Sequence, residues 1–323
     1  EAQVTVLGDL TDAPGDIDGL PFTVLLVDRG PWGTAVGRSV GLLVDLPAEL
    51  GAHGWRLTDH TGADLVRARS FAREDLDALA VAAYDYAGPL VVPVLGPLSL
   101  AARVDLAHGD RILADPAALR DVADSLAAGL AEHLAALAGA VPGAQPRVLL
   151  HEPLLAPVIA GTIPTFSGRG QLRAIPGPVA GERIGAVVSA ARAAGAVSVA
   201  LHVGTGWGVL GVASAAGADA VGLQVGGLPE PAWEAVAAAA EGGLGLWAQL
   251  PPATPAQSGG RDPAGHAETL VGPWRRVGLP VVGLADAVLV VGRPDGARTP
   301  DAARAALGDA VRAAQVVVDR ALA

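Results

Sequence analysis

Short apolar, β-branched runs alternate along this chain with Ala-rich stretches whose apolar positions recur at helical spacing, and Gly or Pro usually separates the two. The runs predict eight strands: Val4–Leu7, Thr23–Val27, Leu90–Leu95, Arg147–Leu150, Ser198–His202, Ala220–Val225, Leu244–Gln249 and Ala287–Val291. From the third onward they are continuously apolar rather than alternating, as expected of parallel strands covered on both faces. Helical spacing predicts helices at Arg73–Tyr84, Pro116–Leu137, Val179–Ala194, Val209–Ala216, Pro231–Glu241, Pro263–Val277 and Pro300–Leu322. Pro116, Pro231, Pro263 and Pro300 each follow Asp, Glu or Thr, the pattern of an N-cap followed by a first-turn proline.

Eight strands alternating with helices predict an α/β fold, a single (β/α)8 TIM-type barrel spanning residues 1–323. An open doubly wound sheet fits the same alternation. The barrel is favoured because strand after strand ends in polar residues, and a barrel's active site lies at the C-terminal ends of its strands. His151, Glu152, His202, Gln224, Gln249, Arg293 and Asp295 would converge there. The start fits least well, because Val4–Leu7 is followed by the turn-rich stretch Asp9–Gly19 instead of a crossover helix.

Composition narrows the chemistry. The 323 residues carry a net charge of -11, are 51% hydrophobic and contain no Cys. Disulfides, thiolate metal ligands and thiol nucleophiles are thereby excluded from this sequence. All 22 basic residues are Arg, and none forms a run longer than Arg275–Arg276, which argues against nucleic acid as a partner. Apolar runs such as Val281–Val291 fall short of a membrane span. With no basic, apolar leader at its start, the sequence is expected to be cytoplasmic, although it begins at Glu1 without an initiator Met.

Several segments, in order from about residue 20 onward, resemble the catalytic domain of cobalamin-independent methionine synthases, especially the short actinobacterial type. They are LLVDLPAEL (Leu42–Leu50) with Gly54–Leu57, VLGPLSLA (Val94–Ala101), LHEPLLAPVIAGTIP (Leu150–Pro164), ADAVGL (Ala218–Leu223), Gly245–Trp247 and TPDAARAAL (Thr299–Leu307). The resemblance implies a barrel of the kind shared with uroporphyrinogen decarboxylase. It also implies a reaction in which zinc-bound homocysteine thiolate takes a methyl group from a methylated folate. The family's opening strand has no counterpart here; VLGDL (Val6–Leu10) resembles the end of the helix after it, so the first barrel strand is expected to be missing or divergent.

The zinc set that the resemblance implies is degenerate. His202 matches, but Gly204 stands where a Cys is expected, Gln224 where an acid is expected, and Arg293 near the last Cys. A neutral amide binds zinc poorly and a guanidinium repels it, so no metal cofactor is expected. The family's Asp-Glu-Pro becomes His151, Glu152, Pro153.

Three readings follow: a divergent barrel without methyl transfer that keeps a ligand pocket or a scaffolding role; a working methyltransferase whose missing parts are supplied otherwise, for example by a partner chain; or a different enzyme using His151, Glu152 or His202 for acid–base chemistry. The first is favoured, with His151 and Glu152 as catalytic candidates and His202, Gln224, Arg293 and Asp295 as candidates for holding a small molecule, a thiol amino acid or folate-like compound. The sequence does not identify a protein partner. Each residue also has a plainer reading: His202 as a buried, hydrogen-bonded imidazole, Arg293 with Asp295 as a solvated ion pair. Because neighbouring strand residues face opposite ways, only one of His151 and Glu152 can face the mouth. The cluster GTGWGVLG (Gly204–Gly211) lacks dinucleotide-binding spacing, and His53, His60, His108, His133 and His266 do not cluster.

Overall fold

The computed structural model describes residues 1–13, 15, 17–252, 262–291 and 299–323. The first element is a helix, α1 (Ala2–Thr11), followed by an extended stretch with one parallel bridge, Phe22 to Val91. Next come α2 (Ala35–Leu42), the antiparallel hairpin β1 (Ala48–Gly51) and β2 (Gly54–Leu57), and α3 (Ala63–Ala82). Six parallel strands then alternate with helices: β3 (Gly88–Leu95), α4 (Pro97–Ala101), α5 (Pro116–Ala140), β4 (Ala144–His151), α6 (Leu155–Ala160), α7 (Gly177–Ala193), β5 (Ser198–His202), α8 (Gly211–Ala215), β6 (Ala220–Gln224), α9 (Glu230–Glu241), β7 (Gly245–Leu250), α10 (Pro263–Arg276), β8 (Val288–Val291) and α11 (Pro300–Leu322).

The strands lie in sequential order from β3 to β8. A doubly wound sheet reverses its order at a switch point; this one never does, and it curls as a TIM-type barrel does. Its two faces are packed differently. The outer face meets the helices in an extensive core that includes Leu126, Leu130, Ile184, Val187 and Trp233. The inner face closes on itself through Val91, Leu149, Ala200, Ala220 and Trp247, with Leu20, Phe22, Val288 and Val290 against them. These inner residues come from every strand of the sheet and from the stretch before it, which is the packing of a barrel interior.

Capping chemistry explains several helix starts. Asp115 accepts from the backbone N–H groups of Ala117 and Ala118 ahead of α5, Asp262 from Gly265 ahead of α10, and Thr299 from Ala302 ahead of α11, each followed by proline. For α9 the expectation is corrected: Glu230 is the first helical residue and Pro229 precedes it, with no side-chain cap.

The first two expected strands are also corrected. Val4–Leu7 lies inside α1, because Gln3, Leu7 and Leu10 are the buried positions, a helical stripe that a short apolar run does not distinguish from a strand. Thr23–Val27 is extended only at its start. Thr23 donates to the Val91 carbonyl and Val91 to that of Pro21, after which a 3-10 turn at Val27–Arg29 ends the pairing. Among the described residues, the outer edge of that stretch meets no strand. It meets a side chain: the Gln3 amide donates to the Phe22 carbonyl (2.9 Å) and accepts from the Val24 N–H (3.0 Å), as a neighbouring peptide group would.

Between this stretch and β8 runs a seam flanked by α1 and α11, which are joined by the Arg304–Asp9 ion pair (2.6 Å). A cleft of about 2140 Å³ follows the seam and opens to the barrel interior.

Candidate functional site

One register row crosses the sheet near its C-terminal end: Leu95, His151, His202, Gly222, Trp247 and Val288. His151 and His202 are thus side by side on adjacent strands, on the same face as Leu149 and Ala200. Their ring centroids are 5.3 Å apart with planes tilted by 55°. His202 is 3% exposed, and its ring occupies space left by Gly222, where a Cβ would come within 2.6 Å of its Cδ2. The Gly204 N–H donates to Nδ1 of His202 (3.3 Å), which places the ring proton on Nε2; that atom is buried without a partner. His151 is half-buried and lines the cleft. Burial depresses both imidazoles, His151 to about 4 and His202 to about 3, the latter also through repulsion from His151. Both are neutral at pH 7.

Glu152 faces the other way. Its carboxylate is fully buried and accepts from the backbone N–H groups of Leu98 (2.8 Å) and Ser99 (2.7 Å) in the turn that follows β3. The Ser99 hydroxyl in turn accepts from the Leu154 N–H (3.1 Å), and the Glu152 N–H donates to the His202 carbonyl (2.7 Å). Desolvation raises the carboxyl to about 7 in spite of these donors. Glu152 is absent from the cleft wall and joins the start of α4, the turn after β4 and the end of β5. The geometry makes it a clamp, on the face of β4 opposite His151.

Gln224 pairs in register with Gln249, two residues beyond the histidine row, and is exposed. Arg293 and Asp295 lie outside the described residues. Among the described residues no three of His, Cys, Asp and Glu are grouped so as to hold a metal ion. The zinc implied by the family resemblance does not fit the residues present. Position 204 is a glycine in the left-handed region (φ 63°), strained for a Cys, and its N–H already occupies one nitrogen of His202.

Sequence reasoning overlooked Arg147, at the other end of the same column of β4. Its parity with Leu149 and His151 is the signal, since residues two apart on a strand share a face. Arg147 is half-buried, its Nε is buried without a partner, and it forms no ion pair among the described residues.

No known family's sequence profile matches this chain. No curated protein matches it either. Among solved structures, a B12-independent methionine synthase from Shewanella sp. W3-18-1, in complex with selenomethionine, is similar at 14% identity over 83% of this chain and 71% of that one, with a TM-score of 0.49. A 3-dehydroquinate dehydratase from Geobacillus kaustophilus HTA426 is 14% identical over 76% of this chain and 77% of that one, with a TM-score of 0.33. A 2,3-dimethylmalate lyase of the PEP mutase/isocitrate lyase superfamily is 15% identical over 73% of this chain and 94% of that one, with a TM-score of 0.28. Likeness at this level says nothing about chemistry.

Proposed function

We propose that this chain is a divergent barrel of the cobalamin-independent methionine synthase type, without zinc-dependent methyl transfer, that binds a small molecule in the cleft beside His151. One observation carries the proposal. The position that would supply a thiolate beside His202 is Gly204, whose backbone holds the imidazole through Nδ1 and offers zinc nothing. A thiol substrate of ordinary pKa then stays mostly protonated at pH 7, and a methylated tertiary amine is a poor methyl donor to it. The acid–base reading is weaker, because an imidazole held at about 4 accepts protons poorly at neutral pH and Glu152 is out of reach of the cleft.

The test is elemental analysis of the purified protein, with an assay of methyl transfer from methylated folate to homocysteine. We expect no stoichiometric zinc and no turnover. About one zinc per chain, with turnover abolished by His202→Ala, would restore the methyltransferase reading.

A further inference from the structure

The inner face of the barrel along the cleft has two polar ends and an apolar middle. At one end stands Arg147, in register with the uncharged Val91 and Ser198. At the other stands His151, four residues along the same strand and therefore roughly 13 Å away. Between them lie Leu149, Trp247, Phe22 and Val290, all of which line the cleft.

Among the described residues, the other charges on the cleft wall are paired or exposed. Asp9 pairs with Arg304, and Asp75 with Arg29 and Arg38. Glu1, Asp18, Asp28 and Asp286 are exposed, as is Arg103. Arg147 alone combines a cation, partial burial, a partnerless Nε and an apolar neighbourhood. A half-buried guanidinium whose Nε–H is buried without an acceptor suits an anion, which would supply that acceptor and a charge-assisted hydrogen bond. The far end makes the opposite demand. His151 is neutral, so it suits a chain terminus or an uncharged polar group and gives no reason to expect a second anion.

We propose that the cleft takes a long apolar molecule with a single anionic head, a carboxylate or phosphate on the Arg147 guanidinium, its body along Leu149, Trp247 and Phe22, and its far end beside His151. A bidentate guanidinium fits both heads. The cleft volume exceeds the usual several hundred Å³ of a small-molecule pocket, and Arg147, Leu149, Trp247, Phe22 and His151 all line it. This inference rests on the reading of the cleft as a ligand site.

Calorimetric titration of the full chain with dodecanoate, dodecyl phosphate and dodecanol tests it. Either anion or both should bind, the tighter one identifying the head group, and dodecanol should bind at least tenfold more weakly. Arg147→Gln should weaken the anion at least tenfold and leave dodecanol unchanged, while Arg147→Lys should retain most of the binding. Circular dichroism of each variant shows whether it folds, and the wild-type comparison of anion with alcohol holds even where a variant does not. Binding should also shift tryptophan emission, and Trp247→Phe should abolish the shift. Absence of anion binding by the wild type, or equal affinities for anion and alcohol, overturns the proposal. Neither result touches the zinc and methyl-transfer measurements, so the two readings fail separately.

Discussion

The buried titratable groups pull stability in opposite directions. The Glu152 carboxyl, raised from 4.5 to about 7, keeps a proton that the unfolded chain releases, so its contribution is full below 4.5 and lost as pH rises through about 7. His133, His151 and His202 are lowered from 6.5 to about 4, 4 and 3, so they favour the fold above 6.5 and cease to do so as pH falls through those values. Between 4.5 and 6.5 the unfolded chain therefore holds three imidazole protons that the fold lacks, against one carboxyl proton that only the fold holds. For these four groups the net is two protons, or about 3 kcal/mol of stability lost per pH unit of acidification. Glu152→Gln should steepen that slope to three protons, read from urea midpoints across the window. Equal slopes in wild type and variant would refute this account. Gly222→Ala would place a methyl against the His202 ring and should cost about 1–3 kcal/mol by the same measurement. At this scale the sequence was readable in part. His151 and His202 stood out as polar strand ends, whereas the clamp role of Glu152 depends on Leu98 and Ser99, more than fifty residues away, and no local pattern encodes it.

Elements were legible where the apolar signal was long or capped. The last six predicted strands correspond to β3 to β8, and the prolines of α5, α10 and α11 mark real first turns. The hairpin β1–β2 went unpredicted because each of its strands has only four residues, too short to show an alternation. The start of the chain misled because Val4, Thr5 and Val6 are β-branched while burial selects the helical spacing of Gln3, Leu7 and Leu10. The Gln3 amide gives that helix a strand's function at one point. Gln3→Ala should therefore leave the Phe22 carbonyl and Val24 N–H unpaired and cost about 1–2 kcal/mol. Loss of protection at the Val24 amide in hydrogen exchange would confirm it; unchanged protection would show that the stretch is held by Val91 alone. Capping offers a simpler check: Asp115→Ala should cost about 1 kcal/mol, measured by thermal or urea unfolding.

For the whole molecule, the barrel class was visible in the alternation, but its closure was not, because closure depends on what lies between the first and last elements. Six strands pair in sequence order, and at the seam the strand pairing is replaced by side-chain packing and one amide. Opposite the seam, Val148, Leu149 and Leu150 of β4 and Val199, Ala200 and Leu201 of β5 are buried and paired on both sides. At the seam, all four residues of β8 are only half-buried, and among the described residues β8 is paired on one side alone. Burial and pairing are thus uneven around the barrel, which predicts that opening fluctuations begin at β8 and are rarest at β4 and β5. The cleft is bounded by the strand that frays most easily, so a molecule too large for its resting mouth can enter during brief excursions of that wall, at a rate set by local opening of the protein and independent of the molecule's own concentration once it is abundant.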